Sequence, residues 1–277
     1  MEGAGEPVIL LHGFGEDGKI WEGQVAFLKK EFLVIVPDIP GSGKSEFLGE
    51  DKYGNRSDKN TDDVSQADIN TNDNRQHAIG MMDYADAVKA ILDHLQISLC
   101  SMIGHSMGGY VLLAYANKYP DTLQRMGLFH STAFADDEQK VNIRKKAKEF
   151  VRSNGAHAFL KTTIPNLFGT TFKEQHPEVI ENMVKQSASF SSEAIIQYYS
   201  AMIGRPDRTS MLRELKIPIL YLIGEEDNAI PLQQSLKQCH LPGIACIHIL
   251  PGVGHMGMLE KGQVCNEYLL EFLRIVC

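Results

Sequence analysis

Ser101-Met102-Ile103-Gly104-His105-Ser106-Met107-Gly108-Gly109-Tyr110 joins two patterns of different period. The apolar run from Leu99 to Ile103 has the length and composition of a short buried strand. From Gly109 onward, Val111, Leu112, Ala114 and Tyr115 are apolar at helical spacing, as far as Tyr119-Pro120. Between the two stands G-x-S-x-G, as Gly104-His105-Ser106-Met107-Gly108. A strand that reverses into a helix within a few residues forces its central residue into a strained backbone conformation, with room for only small neighbours. Such a turn lifts the Ser106 hydroxyl clear of the sheet. It also sets the Met107 N–H at the start of a helix, where developing negative charge is stabilised. Glycine and serine are common in turns, so the motif gains meaning only if a base, an acid and an oxyanion donor stand elsewhere in the right order.

Upstream, Val8-Ile9-Leu10-Leu11 reads as a buried parallel strand that ends in His12-Gly13-Phe14-Gly15. A helix from Trp21 to Lys30, with Trp21, Val25 and Leu28 on one face, leads to a second strand, Phe32 to Val36. That strand runs into Pro37-Asp38-Ile39-Pro40-Gly41-Ser42-Gly43-Lys44-Ser45. The last three residues resemble the end of a phosphate-binding loop, but Asp38 stands where G-x-x-x-x-G-K-[ST] requires glycine, so no nucleotide site is expected. Residues 49–77 are almost devoid of apolar side chains and read as a long solvated loop. Within them Asp58-Lys59-Asn60-Thr61-Asp62 opens like a calcium loop but lacks its glycine (Asp63) and its closing glutamate (Ile69). Asn55-Arg56-Ser57 is a glycosylation sequon without a secretory context.

Tyr84 to Leu95 is again helical, and Met126 to Phe129 reads as a strand ending in His130-Ser131-Thr132-Ala133. Residues 134–212 lack strand patterning. Helices are expected over Asp136 to Ser153, Ala156 to Leu167, Pro177 to Ser189 and Ser192 to Met202. Helices inserted into a βα alternation suggest a cap over one end of a sheet. Its aromatics, Phe159, Phe168, Phe172, Phe190, Tyr198 and Tyr199, are candidates to line a pocket, although core packing is the commoner role for each. The alternation resumes with a strand from Ile217 to Ile223, ending in Gly224-Glu225-Glu226-Asp227, then a helix near Leu232 to Lys237. A last strand, Ala245 to Leu250, precedes Gly254-His255 and a closing amphipathic helix. The expected organisation is a core of residues 1–133 and 213–277, a helical cap of 134–212, and the polar loop of 49–77 within the core.

The composition sets bounds on function. An apolar share of 43% and a charged share of 22% are those of an ordinary globular protein, and 277 residues suffice for a large core. A net charge of −8 argues against nucleic acid and anionic membrane surfaces as partners. No apolar run approaches a membrane span, and Met1 to Glu6 has no basic flank before an apolar core. Five scattered cysteines without C-x-x-C spacing suit reduced thiols, so a cytoplasmic location is expected.

Strands alternating with helices imply a parallel sheet whose chemistry collects on loops at the strands' C-terminal ends. A serine hydroxyl is a poor nucleophile. It needs an imidazole to take its proton and a carboxylate to orient and stabilise the imidazolium. His255, alone of ten histidines in a glycine-flanked loop after the final strand, is the candidate base, and Asp227 its partner. Glu225 and Glu226 remain alternative acids. His130, which also ends a strand, remains a rival base, whereas His12 is expected to brace its own loop and His105 to face away from the hydroxyl. The order Ser…Asp…His is the one that accompanies G-x-S-x-G. The backbone N–H groups of Phe14 and Met107 are the candidate oxyanion hole, with their side chains forming pocket wall.

With these residues in view, the chain resembles the α/β-hydrolase superfamily, in its capped serine-hydrolase form. The resemblance runs through Val8 to Gly15, Pro37-Asp38 to Ser45, Gly104 to Gly109, Gly224 to Asp227 and Gly254-His255, nearly the whole chain outside the polar loop and the cap. It implies an α/β fold, a mostly parallel doubly wound sheet with an inserted helical cap, and the catalytic set Ser106, Asp227 and His255 with no cofactor and no metal. Serine in place of aspartate separates the chain from relatives resembling haloalkane dehalogenases and epoxide hydrolases. Two features depart from the family. Relatives usually carry an antiparallel strand pair before the first parallel strand, where only residues 1–7 stand here, and the polar loop is unusually long. The leading expectation is hydrolysis of a small carboxylic ester bound in a capped pocket. Carbon–carbon bond hydrolysis, cofactor-free perhydrolysis or small-molecule reception with slow turnover are the alternatives that the resemblance leaves open.

Overall fold

The computed structural model describes residues 1–49 and 78–275, and its centre is a sheet of six strands that are all parallel. In chain order these are β1 (Glu6–Leu11), β2 (Phe32–Ile35), β3 (Cys100–His105), β4 (Leu123–Phe129), β5 (Ile219–Gly224) and β6 (Ala245–Leu250), laid side by side as β2-β1-β3-β4-β5-β6. Val8 to Leu11, all of β3 and all of β5 are buried, as unbroken apolar strands covered on both faces must be. Each such side chain contributes about 1.5–3 kcal/mol by leaving water.

The order reverses at β1. The chain leaves β1 toward β2 on one side through α1 (Glu22–Leu28), then returns past β1 to β3 through α2 (Met81–His94). Right-handed crossovers in opposite directions place their helices on opposite faces. Accordingly α2 packs on α3 (Met107–Lys118), while α1 packs on the closing helix α10 (Gly262–Leu273). A crevice opens beyond the C-terminal ends of β1 and β3, where the winding reverses. The loop after β1 and the turn holding Ser106 both sit there.

Residues 134–212 hold α4 (Glu138–Asn154), α5 (Ala156–Thr163), α6 (Thr170–Gln175), α7 (Pro177–Gln186), α8 (Ser192–Ile203) and α9 (Thr209–Glu214), with no strand among them. The short α6 and α9 were not expected, because six residues carry too little periodicity to read. Ahead of β1, Glu2 makes a single antiparallel bridge to Val34, its N–H donating to the Val34 carbonyl at 2.9 Å and its carbonyl accepting at 2.8 Å. That bridge stands where relatives usually carry an antiparallel strand pair, and it covers part of the outer edge of β2. The solvated loop of 49–77, with its calcium-like and sequon stretches, lies outside the described residues apart from Gly49. None of the described helices is long and apolar enough to cross a membrane.

Candidate active site

Ser106 follows β3 directly and has φ 50° and ψ −114°, a left-handed conformation that costs a non-glycine residue about 1–3 kcal/mol. The surroundings hold it there. Its N–H donates to the Phe129 carbonyl at 3.0 Å, and its carbonyl accepts from Gly109 N–H at 3.0 Å and the Ser131 hydroxyl at 2.8 Å. A Cβ on Gly104 would lie 2.5 Å from the Gly108 and Gly109 backbone, and one on Gly108 would lie 2.5 Å from the Leu11 carbonyl. Both glycines are therefore required by close packing of strand, helix and loop. Met107 opens α3, and neither its N–H nor that of Phe14 finds an acceptor among the described residues. The two loops thus leave free donors at the same crevice. The Phe14 side chain lines the cavity, but Met107 is buried in the core behind it, against the expectation that it would form pocket wall.

Asp227 follows β5. Its Oδ1 accepts from the Ala229 and Ile230 N–H groups at 2.8 and 2.9 Å, and its Oδ2 lies 2.7 Å from His255 Nδ1. Burial alone would push this carboxyl up, yet the two histidines beside it, His255 foremost, hold it well below the usual carboxylate range. The bond to Asp227 occupies Nδ1 of His255 and leaves Nε2 for the cavity, which Ser106 and His255 line together. His130 also approaches Asp227, with Nδ1 3.3 Å from Oδ2. It is fully buried, does not line the cavity, and accepts the Gly224 N–H at 3.1 Å. Burial pushes its pKa down to about 4 against the attraction of Asp227. The two glutamates weighed as alternative acids point elsewhere: Glu225 accepts from Gly252 N–H at 2.9 Å, and Glu226 from Thr170 N–H at 2.7 Å.

Two residues that the sequence did not single out, Glu16 and Glu260, brace this arrangement together with His105 and His12. Glu16, buried, accepts the Gly13 N–H at 2.8 Å and lies 3.0 Å from His105 Nδ1. The other nitrogen of His105 sits 2.9 Å from the backbone carbonyl of His255. A carbonyl only accepts and an ionised carboxylate only accepts, so both ring nitrogens of His105 donate and the ring is an imidazolium. Burial would lower the His105 pKa, but the Glu16 carboxylate and the His255 carbonyl raise it overall. The same carboxylate is held low by His105 in spite of its own burial. Glu260 cradles the other side of the His255 loop, accepting from Gly254 and Met256 N–H at 3.1 Å and from Gly169 N–H at 2.8 Å. His12 braces its loop as expected: Nε2 accepts the Ile39 N–H at 2.9 Å and lies 2.8 Å from the Ser42 hydroxyl. The phosphate-loop look-alike wraps Asp38 instead of an anion, with Lys44 N–H donating to Oδ2 and the Ser45 hydroxyl to the backbone carbonyl.

The cavity encloses about 310 Å³. Of the six aromatics proposed for it, only Tyr199 is a lining residue. Phe159 supports from behind, its ring 6.5 Å from Phe14 and 5.8 Å from Tyr199, and Tyr198 donates its hydroxyl to the Pro40 carbonyl. Leu160, Ile164, Leu167 and Met183 do the lining instead. Donor atoms of His130, Asp227 and His255 lie within 4.8 Å of one another and could gather around a divalent ion. Such an ion would have to displace the 2.7 Å Asp227–His255 bond and the Gly224 donation to His130. Chemically, the arrangement offers a hydroxyl on a strained turn, an imidazole backed by a buried carboxylate, and two free N–H donors at one apolar cavity.

Comparison with known proteins identifies the family of the fold. Residues 6–262 match the family described as alpha/beta hydrolase fold. A 2-hydroxy-6-oxononadienedioate/2-hydroxy-6-oxononatrienedioate hydrolase of Burkholderia vietnamiensis is 25% identical over 97% of this chain and 87% of its own length. Among solved structures, a thermophilic esterase from Thermogutta terrifontis, determined with malate bound, superposes with a TM-score of 0.85 at 29% identity, over 99% of this chain and 91% of that one. The enol-lactonase of Burkholderia xenovorans LB400 shares the fold, with a TM-score of 0.81 at 20% identity over 99% of this chain and 93% of that one.

Proposed function

We infer the function of this chain from the premise that it belongs to the alpha/beta hydrolase fold family and is a hydrolase. We propose that it cleaves a small carboxylic ester through an acyl-enzyme on Ser106, with His255 as base and Asp227 as its partner. The observation that carries the reading is the shared cavity: Ser106 on its strained turn and His255 on its 2.7 Å bond to Asp227 face one space. In this reading the Ser106 hydroxyl adds to the ester carbonyl as its proton passes to His255 Nε2. Phe14 and Met107 N–H donate to the oxyanion, each contributing about 3–4 kcal/mol to the transition state. The imidazolium returns the proton to the departing alcohol, and water repeats the sequence to release the acid. Asp227, kept ionised, holds the proton on His255 Nδ1 so that Nε2 is free to accept. Residues 134–212 act as a cap whose helices supply the apolar wall around the acyl group.

The test is steady-state hydrolysis of p-nitrophenyl esters from acetate to octanoate, with Ser106→Ala alongside. Turnover by the wild type that disappears in a folded Ser106→Ala protein is the expected result. Equal rates in the two proteins would remove Ser106 from the chemistry. A carbon–carbon bond hydrolase is the second reading, favoured by the names of curated relatives such as the Burkholderia vietnamiensis enzyme and a 2-hydroxy-6-oxo-6-phenylhexa-2,4-dienoate hydrolase of Comamonas testosteroni. Bleaching of a 2-hydroxy-6-oxodienoate chromophore, with no turnover of the simple esters, would establish it over the first.

A further inference from the structure

One wall of the cavity carries charge that the fold itself does not balance. Lys140 and Arg144 stand four residues apart on α4 and line the same cavity as Ser106 and His255. Arg144 gives Nε to Asp136 Oδ2 at 2.5 Å and Nη2 to Oδ1 at 3.3 Å. The same Oδ1 also accepts from Arg205 Nη2 at 2.9 Å, and the Arg205 guanidinium lies 4.0 Å from the ring of Tyr110, another lining residue. Asp136 is thus one carboxylate serving two guanidiniums. The Lys140 ammonium donates only to a neutral acceptor, the Ala229 carbonyl at 2.9 Å. Of the two cations that line the cavity, Arg144 shares its carboxylate with Arg205, which stands behind the wall, and Lys140 has no carboxylate partner among the described residues. The one acidic side chain lining the cavity, Glu16, is occupied by His105 and Gly13. Nη1 of Arg144 and two of the three ammonium protons of Lys140 have no acceptor among the described residues.

Partly buried cations without a counter-charge are costly to keep beside an apolar surface, and an anionic ligand is what offsets that cost. The remaining wall is apolar, with Ile143, Leu160, Ile164 and Met202 among its residues. The space, about 310 Å³, lies at the small end of the range of small-molecule pockets. That suits a short aliphatic ester and little more. We propose that Lys140 and Arg144 form an anion subsite, and that the substrate is the ester of a short acid whose far end is a carboxylate. The planar guanidinium and the adjacent ammonium receive that carboxylate while the aliphatic middle lies along the apolar wall. This rests on the reading of Ser106 as the reacting group, because the ester must reach that residue while its far carboxylate reaches the cations of the same cavity.

The test compares mono-p-nitrophenyl adipate with p-nitrophenyl hexanoate, which differ by the terminal carboxylate. The ratio of their kcat/KM values is measured for wild type, Lys140→Gln, Arg144→Gln and Arg144→Lys, with equilibrium binding of both esters to Ser106→Ala in parallel. The wild type is expected to favour the charged ester at least tenfold. Loss of either cation should cut that preference by about 10- to 100-fold, the range for a charge-assisted hydrogen bond. Arg144→Lys keeps a cation for Asp136, so it and Lys140→Gln report even if Arg144→Gln fails to fold. A wild type without preference for the charged ester, or a preference that survives both cation replacements, overturns the subsite. Should the wild type turn over neither ester, the ester-hydrolase reading fails by itself. The tighter binding of the adipate ester to Ser106→Ala, and its loss with Arg144→Lys or Lys140→Gln added, then still decides for or against the subsite.

Discussion

Replacing Glu16 by Gln isolates one charge from the bracing of the site. The side chain keeps its shape, and its amide oxygen can still accept from Gly13 N–H and from His105 Nδ1–H. What disappears is the counter-charge that keeps His105 an imidazolium. A buried imidazolium facing a neutral amide gives up its proton, and a neutral ring can donate from only one nitrogen. Either the bond to residue 16 or the bond to the His255 carbonyl is then lost. A hydrogen bond involving a charged group is worth about 1.5–3 kcal/mol, so a loss of about 2 kcal/mol is expected, or roughly 4–8 °C in Tm. The sign with pH follows from the two shifts. His105 has a raised pKa, so its contribution is complete below the ordinary value of 6.5 and is lost as pH rises through the folded value. Glu16 has a lowered pKa, so its contribution is complete above the ordinary value of 4.5 and is lost as pH falls through the folded value. The stability gap between wild type and Glu16→Gln should therefore be widest between about 4.5 and 6.5 and narrow as the solution becomes alkaline. Urea unfolding across pH measures the gap, and 15N spectra of His105 at about pH 6, below the ordinary value of 6.5, read its protonation directly. A ring with one bare nitrogen in the wild-type protein would refute the doubly donating His105 and the reasoning built on it.

Three further outcomes are expected. Asp227→Asn should keep the fold but lower kcat roughly 10³- to 10⁴-fold, because an amide can donate to His255 Nδ1 and so turn the ring to the wrong tautomer; a change under tenfold in ester hydrolysis would remove Asp227 from the mechanism. Gly104→Ala should cost about 3 kcal/mol or abolish soluble expression, since its Cβ would lie 2.5 Å from immobile backbone, whereas Gly23→Ala on α1, with no atom within 4 Å, should be neutral or gain up to about 1 kcal/mol in a thermal melt. Glu226→Ala, which removes only an exposed bond to Thr170 N–H, should leave the ester kcat/KM within about twofold of wild type, and a large loss would point to Glu226 as the acid after all.

The parts of the site that could be read beforehand are those that local pattern dictates. Ser106 and Asp227 follow the buried strands β3 and β5, and His255 follows the edge strand β6; an apolar run closed by glycine or an acidic loop is visible without knowing the partners. The choice between His255 and His130 was not visible, since both follow strands. It depends on where each ring points: the φ of 47° at His130 and its acceptance of Gly224 N–H hold that ring behind Asp227. Glu16 was silent because its partner lies 89 positions away, and no period links the two. Among the six cap aromatics core packing is the commoner expectation, and the sequence does not say which one lines the cavity: packing shows that Tyr199 does, while Phe168 stacks on Phe172, 5.4 Å between centroids, away from it. The helix expected over Asp136 to Ser153 gives no hint that two of its cations, Lys140 and Arg144, line the cavity, because a charge-rich sequence does not show which of its charges faces the sheet.

These residues have a common electrostatic logic. Glu16 with His105, and Asp227 with His255, are sets in which each buried anion meets a cation or a proton that can become one. The Glu16 set is neutral as it stands, so it serves as bracing and has no need of a ligand. In the proposed mechanism Asp227 is matched by a full cation at the step where His255 takes the Ser106 proton. The set around Asp136 differs again, because two guanidiniums share its carboxylate and Lys140 adds a third cation. No proton movement within the chain can settle that surplus, since arginine does not deprotonate in this range. It is completed only by an anion arriving from outside, and the open side of the set faces the cavity that holds Ser106.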